Sequence, residues 1–318
     1  MGYALACLPF AKSSVSASAT SRRVAVLLFD NREAWEFLIP DLRKELSDRC
    51  WVEGKNLQVE WLFANGDAGR LQELAVQIAS SGVDAVVTRG TPATRALRKA
   101  TTSLPILTGV GDPIGSGFTK TYSNPDGNIT GLSWATVETY QKQIQLLKEM
   151  VPTVSRLVIV LKRDRLPFAQ ELTGAINKAA REQGLAAETA LVGNLAEVEA
   201  ALVQARSHGA NAAVILGLGT NIPPKEVAAI ALRQRLPTVC EYSTYVEAGC
   251  LMSYRLDWEH QTRRTAVQLD KLLRGMKPAQ IPFELPTVSE FVINRTTASA
   301  LGLNVSRALL VRADKIVD

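Results

Sequence analysis

From Arg23 onward, short runs of β-branched and aliphatic residues alternate with longer stretches whose apolar positions recur every three or four residues. The runs RVAVLLF (23–29), LQVEWLF (57–63), DAVVTRG (84–90) and PILTGV (105–110) predict strands buried on both faces, as in a parallel sheet. Between them, 33–49, 70–80 and 92–100 predict helices. Leu71, Leu74, Ala75 and Ile78 fall at i, i+3, i+4 and i+7, so they are expected core residues. After SNPDGNITGLS the pattern restarts: a helix over 137–150, the strand RLVIVLK (156–162), a helix over 167–183 stopped at Gly184, the strand AAETALV, a helix over 195–207 and the strand AAVILGLG. The expected class is α/β, and the restart predicts two lobes.

The restart is also a partial repeat. SSGVDAVVTRGT (80–91) matches SHGANAAVILGLGT (207–220), and LPILTGV (104–110) matches LPTVCEY (236–242), at offsets of 127 and 132 residues. Helix-Gly-strand-Gly punctuation is common to all α/β chains and explains part of this match. The matched order of four features is harder to obtain that way: Gly before the strand, Gly and Thr after it, Pro in the next helical turn, and Leu-Pro opening the next strand.

Ligands of open α/β sheets sit beyond the carboxyl ends of the strands, which directs attention to the loops there. Thr91 is expected to be an N-cap with Pro92 at N1, turning the N–H groups of Ala93 and Thr94 outward as an anion site. An ordinary capped helix has the same sequence. Asp112, in the loop GVGDPIGSG (109–117), is grouped with these residues, and GLGTNIPP (217–224) is the counterpart loop in the second lobe. There Thr220, Asn221, Glu241 and Tyr242 are expected to form a polar clamp, a carboxylate beside an aromatic ring being suited to an α-amino group. Equally, Glu241 fits a surface residue at a loop start and Tyr242 a core residue. Neither loop forms G-x-G-x-x-G before a helix, and no Gly-Lys-Ser/Thr occurs, so no nucleotide or other cofactor is implied.

Composition narrows the classes further. The chain has 318 residues, long enough for two domains, and 47% of them are hydrophobic. Its net charge of +5 comes from 36 basic and 31 acidic residues spread along the chain with no run of five or six like charges, so no nucleic-acid partner is expected. Four cysteines and two histidines show no metal-ligand spacing, and no metal is expected. Cys240 and Cys250 could meet across the end of one strand and the start of the next, although buried thiols are the commoner state, and no pairing is assigned. Residues 1–22 read as a leader: a short apolar piece, then a Ser/Ala tract ending in Ala17-Ser18-Ala19, like the back half of an export signal without its basic start. No later stretch reaches 18 uninterrupted apolar residues.

TRGTPATRA, PILTGVGDPIGSG, NPDGNITGLS, VEAGCLMSY and ELPTVSEFVINRTTASALGL together resemble the ABC-transporter substrate-binding family that includes tryptophan and other aromatic amino-acid binding proteins, over about residues 23 to 318. The resemblance implies a type I periplasmic binding protein: two Rossmann-like lobes with parallel sheets joined by three crossover strands, closing over a small carboxylate-bearing solute in the interlobe cleft. It further implies a periplasmic, monomeric protein that serves an ABC permease in the inner membrane and is not an enzyme. Lobe one would comprise 23–132 and 255–282, and lobe two 133–254 and 283–318. The loop KRDRLPF departs from the family, which usually carries Asn, Pro and Ser there. Its Lys162, Arg163 and Arg165 suit either an acidic solute or a solvated basic loop. Two other readings share the two-lobe architecture. A ligand sensor signalling to a membrane partner needs no further motif, whereas a racemase-like enzyme needs an acid/base residue from each lobe, and none stands opposite Cys240 near Thr108. A sugar-responsive repressor would need a DNA-binding headpiece that 22 Ser/Ala-rich residues cannot supply.

Overall fold

The computed structural model describes residues 21–318, apart from 34, 37, 135, 164, 165, 217 and 219–221. The expected leader therefore lies almost entirely outside the described residues, as do Thr220 and Asn221. The chain divides into two compact units: unit 1 runs to Leu132 and resumes over Trp258–Glu284, and unit 2 comprises Ser133–Asp257 and Leu285–Asp318.

Unit 1 contains β1 (Arg22–Leu28), α1 (Ile39–Ser47), β2 (Leu57–Phe63), α2 (Ala68–Ser80), β3 (Ala85–Arg89), α3 (Thr91–Ala100), β4 (Ile106–Val110) and most of β5 (Ile129–Ser133). The strand order is β2-β1-β3-β4-β5, with β2, β1, β3 and β4 parallel. The four positions expected in the core of α2 are all buried. That helix starts where the Asp67 carboxylate accepts from the N–H groups of Gly69 and Arg70. Helix α1 is shorter than the apolar pattern predicts. It begins at Ile39 rather than Glu33 because Pro40, which has no N–H and crowds the preceding turn, is accommodated only in a helix's first turn.

Unit 2 contains α4 (Thr136–Met150), β6 (Arg156–Lys162), α5 (Leu166–Glu182), β7 (Ala186–Val192), α6 (Leu195–Ser207), β8 (Ala212–Leu216), α7 (Pro224–Arg233), β9 (Thr238–Cys240), α8 (Ser243–Glu247) and β10 (Met252–Leu256). Then α9 (Trp258–Leu273) returns to unit 1, and β11 (Ser289–Asn294), α10 (Arg295–Ala300), α11 (Arg307–Arg312) and β12 (Lys315–Val317) complete unit 2. The second sheet has the order β7-β6-β8-β9-β10-β11-β12, with only the β10–β11 pair antiparallel.

The first five strands of that order repeat the topology of unit 1, and the repeat reaches individual hydrogen bonds. Asp84 N–H donates to the Arg23 carbonyl at 2.8 Å, and its counterpart Asn211 N–H donates to the Arg156 carbonyl at 3.0 Å. Val86 donates to the Pro105 carbonyl and Ala213 to the Pro237 carbonyl, each at 2.9 Å. In both places the strand that opens with Leu-Pro is registered by a carbonyl whose own residue cannot donate. Both sheets bury aliphatic residues on each face, which at about 1.5–3 kcal/mol per fully buried side chain is the main term holding each unit together.

Candidate functional site

The carboxyl ends of β3 and β4 form the polar edge of unit 1. Gly90 separates β3 from α3 and donates to the Gly109 carbonyl at 2.8 Å. Its backbone, φ 85° and ψ 150°, is one that side chains exclude, and this makes Gly90 the N-cap. The expected cap is therefore shifted by one residue: Thr91 is the first helical residue, Pro92 follows it, and neither side chain caps the helix. Thr94 is also not a free donor. Its N–H donates to the Gly90 carbonyl at 3.2 Å, its hydroxyl bonds the same carbonyl at 2.9 Å, and it lies 2.6 Å from the Thr108 hydroxyl on β4.

The N–H groups of Thr91 and Ala93 precede the i→i−4 ladder that starts at Thr94, and Pro92 has none. Thr91 is 8% exposed, and its hydroxyl oxygen is buried with no hydrogen-bond partner. A buried hydroxyl left unpaired costs about 1–3 kcal/mol, so its place at a helix start requires an explanation. Asp112 is exposed and folds its own loop: its carboxylate accepts from Gly115 N–H at 2.8 Å and its carbonyl from Ser116 N–H at 3.0 Å.

In unit 2 the corresponding edge is the end of β9. Glu241 N–H donates to the Ile215 carbonyl at 3.1 Å, fixing the residue just beyond the sheet. Glu241 is partly buried, and one carboxylate oxygen is buried with no partner. Tyr242, the N-cap of α8, presents its ring to the Arg255 guanidinium at 5.9 Å, and Arg255 in turn pairs with Glu290 at 3.0 Å. The ring expected to meet a ligand cation thus already has one from its own chain. A Cys240–Cys250 disulfide joins the end of β9 to the residues just before β10. Beside it, the Thr238 hydroxyl accepts from Leu251 N–H at 2.8 Å.

Two groups were missed in the sequence. Arg255 sits in a β-strand where only its alternation with Tyr254 signals its side. Arg89 was read as the end of a strand, yet its guanidinium lies 5.3 Å from the Trp35 ring centre and 5.0 Å from that of Trp258. Burial draws its pKa down to about 10. A cation ending an otherwise apolar strand was the available signal. The basic loop after β6 resolves in part: Arg163 pairs with Glu197 at 2.6 Å and bonds the Leu191 carbonyl, and Arg165 lies outside the described residues. The Gly193 N–H, followed by Arg163, holds the Glu197 carboxyl below the usual range.

Against this geometry, residues 23–317 match the family described as ABC transporter substrate binding protein. The chain belongs to that family. It is 23% identical over 266 residues to a tyrosine-binding protein of Clostridioides difficile, covering 82% of this chain and 75% of the relative. Among solved structures it resembles a conserved domain protein from Vibrio cholerae, with TM-score 0.78 and 26% identity over 93% of this chain and 100% of the other. It also resembles an ABC domain from Streptococcus pneumoniae in complex with L-Trp, with TM-score 0.76 and 22% identity over 94% and 100%. The α/β architecture of two largely parallel sheets is that of the type I periplasmic binding proteins, as the motifs implied. The family is one of substrate-binding proteins rather than enzymes. Among the described residues, no helix is long and apolar enough to cross a membrane, and no group of three or more His, Cys, Asp or Glu residues could hold a metal ion.

Proposed function

We propose that this protein is the extracytoplasmic solute-binding component of an ABC importer and that its solute is an amino acid, an aromatic one first. The carboxylate is taken by unit 1, through the N–H groups of Thr91 and Ala93 and the Thr91 hydroxyl. The ammonium group is taken by unit 2, through Glu241. One observation carries the reading: the two edges each hold one buried, unpartnered oxygen, a hydroxyl able to donate in one case and a carboxylate able to accept in the other. The helix start adds a favourable dipole for the anion of about 0.3–2 kcal/mol. Its relatives, a tyrosine-binding protein and an L-Trp complex, support the aromatic choice.

The Cys240–Cys250 disulfide supports residence in an oxidising compartment, where such bonds persist. The partner is then a membrane permease that receives the solute from a monomeric binding protein. Titration calorimetry with L-tyrosine and L-tryptophan, against tyramine and tryptamine and against the deaminated acids, tests the assignment. Both amino acids should bind at least tenfold more tightly than either truncated series, since each truncation strands a charged-group hydrogen bond. Tyramine binding as tightly as tyrosine removes the carboxylate from unit 1, and equal binding of the deaminated acid removes the ammonium from Glu241.

A further inference from the structure

The chain from Cys240 to Cys250 is a closed loop in unit 2. The disulfide joins its two ends, and Glu241, Tyr242 and α8 all lie inside it. The sheet alone holds Glu241 by little. Its strand, β9, is three residues long, against five each for its neighbours β8 and β10. The ladder between β9 and β10 has two residue pairs and ends with Cys240 opposite Ser253. Toward β8, Glu241 N–H reaches the Ile215 carbonyl; on the β10 side, the fastening next to Glu241 is the disulfide.

The far end of the loop has attachments of its own. The Asn294 amide donates to the Val246 carbonyl and the Thr297 hydroxyl to the Gly249 carbonyl, each at 2.9 Å. Opening the disulfide therefore frees the Glu241 end and leaves α8 docked against the end of β11 and α10. The repeat supplies a comparison. In unit 1, Thr108 occupies the place of Cys240, and its hydroxyl lies 2.6 Å from that of Thr94 on α3. In each unit a side-chain link at this one position fastens the element that carries the buried, unpartnered oxygen, α3 with Thr91 or the end of β9 with Glu241. Unit 2 makes the link covalent, beside a carboxylate whose hydrogen bond to a cation depends on distance and direction.

We propose, resting on the assignment of the ammonium group to Glu241, that the Cys240–Cys250 disulfide is a positioning element of the solute site. It preorganises Glu241, so the preference for an amino acid over its deaminated acid depends on the bond. Cys240 is 1% exposed and Cys250 0%, which makes substitution rather than a mild reductant the means of opening it.

Calorimetry with L-tyrosine and with its deaminated acid provides the test, on the parent and on two variants that are folded by circular dichroism at the temperature used. Cys240→Ala/Cys250→Ala removes both sulfurs, and Cys240→Val/Cys250→Ala refills part of the space they leave. The parent should prefer tyrosine at least about tenfold. Each variant should bind tyrosine about fivefold or more less tightly, and the deaminated acid within about twofold of the parent, so that the preference collapses. Adding Glu241→Gln should then cost less affinity in a variant than in the parent. A bond that only stabilises the fold weakens both ligands together; that result, or a preference kept in full by both variants, overturns the positioning role alone. A parent without the preference overturns the assignment of Glu241, and the positioning role with it.

Discussion

Thr91 and Glu241 hold their buried oxygens without internal partners, so substitutions there separate function from stability. Thr91→Val keeps the shape and removes the hydroxyl. It should weaken the amino-acid ligand about tenfold, while apo stability stays level or rises, because an unpaired buried group is lost. A melting temperature that falls by several degrees, with affinity unchanged, would falsify the assignment of Thr91 to the ligand. Gly131 shows the opposite behaviour. A Cβ there would lie 1.8 Å from the Thr108 carbonyl oxygen and 2.8 Å from its nitrogen, and φ is 155°. Gly131→Ala should therefore cost about 3 kcal/mol or more, read from denaturant midpoints. At this scale the sequence is legible where chemistry is local: the Thr-Pro helix start and the Glu-Tyr pair are visible as strings. The one-residue shift of the cap to Gly90 is not, because it depends on a backbone angle. Nor is the cation over Tyr242, which comes from a different strand.

Among elements, β9 and β10 are tied by the Cys240–Cys250 disulfide across a sequence separation of 10 residues. Closing so short a loop restricts the unfolded chain by about 2–3 kcal/mol. Reduction, or the double change to Ser, should lower stability by that amount in a non-denaturing thiol titration followed by melting; an unchanged midpoint assigns the pair no structural weight. Unit 1 has a different fastening. The segment at Glu284 donates its N–H to the Gly131 carbonyl at 3.0 Å, and its carboxylate receives two bonds from Arg264 of α9, at 2.6 and 2.7 Å. Burial raises the Glu284 pKa, but the hydrogen bonds and charges of Arg264, Gln268 and Lys271 outweigh it and leave the carboxyl below its ordinary value. A carboxyl depressed in the native state stabilises above the unfolded value of about 4.3, and its contribution is lost as pH falls through the lower native value. Glu284→Gln should cost about 1 kcal/mol or less at pH 7, a partly exposed pair being screened, and the difference from the parent should shrink as pH falls below the unfolded value and vanish once the native carboxyl itself is protonated. A difference that persists there assigns the loss to packing instead. Periodicity located β1 to β4, β6 to β8 and α2 to α6, but not β10 or α9. It overextended α1 because the apolar residues before Pro40 mimic a helical stripe that the proline forbids.

In the whole molecule the repeat is the most informative feature of the sequence. Asp84 and Asn211, or Pro105 and Pro237, were matched as letters, and they occupy equivalent rungs of two sheets with the same strand order. The letters also show that the repeated edges diverged chemically, one keeping a helix start and hydroxyls, the other a carboxylate beside an aromatic ring; what they could not carry is which of those oxygens is buried without a partner. Divergence of that kind suits a solute with two unlike charges, and it makes a prediction about coupling. If one amino acid is held by both units, Thr91→Val and Glu241→Gln should each weaken the same ligand, and their double variant should bind no more tightly than the weaker single one. Residues acting on one bound molecule also couple: once either charge is released the ligand reorients, so the second substitution should cost less than it does alone, by about 0.5–3 kcal/mol. Calorimetry on the four proteins measures this directly. Losses that add within about 0.5 kcal/mol place the two groups on independent events, and an unaffected affinity in Glu241→Gln leaves unit 2 without a role in holding the solute.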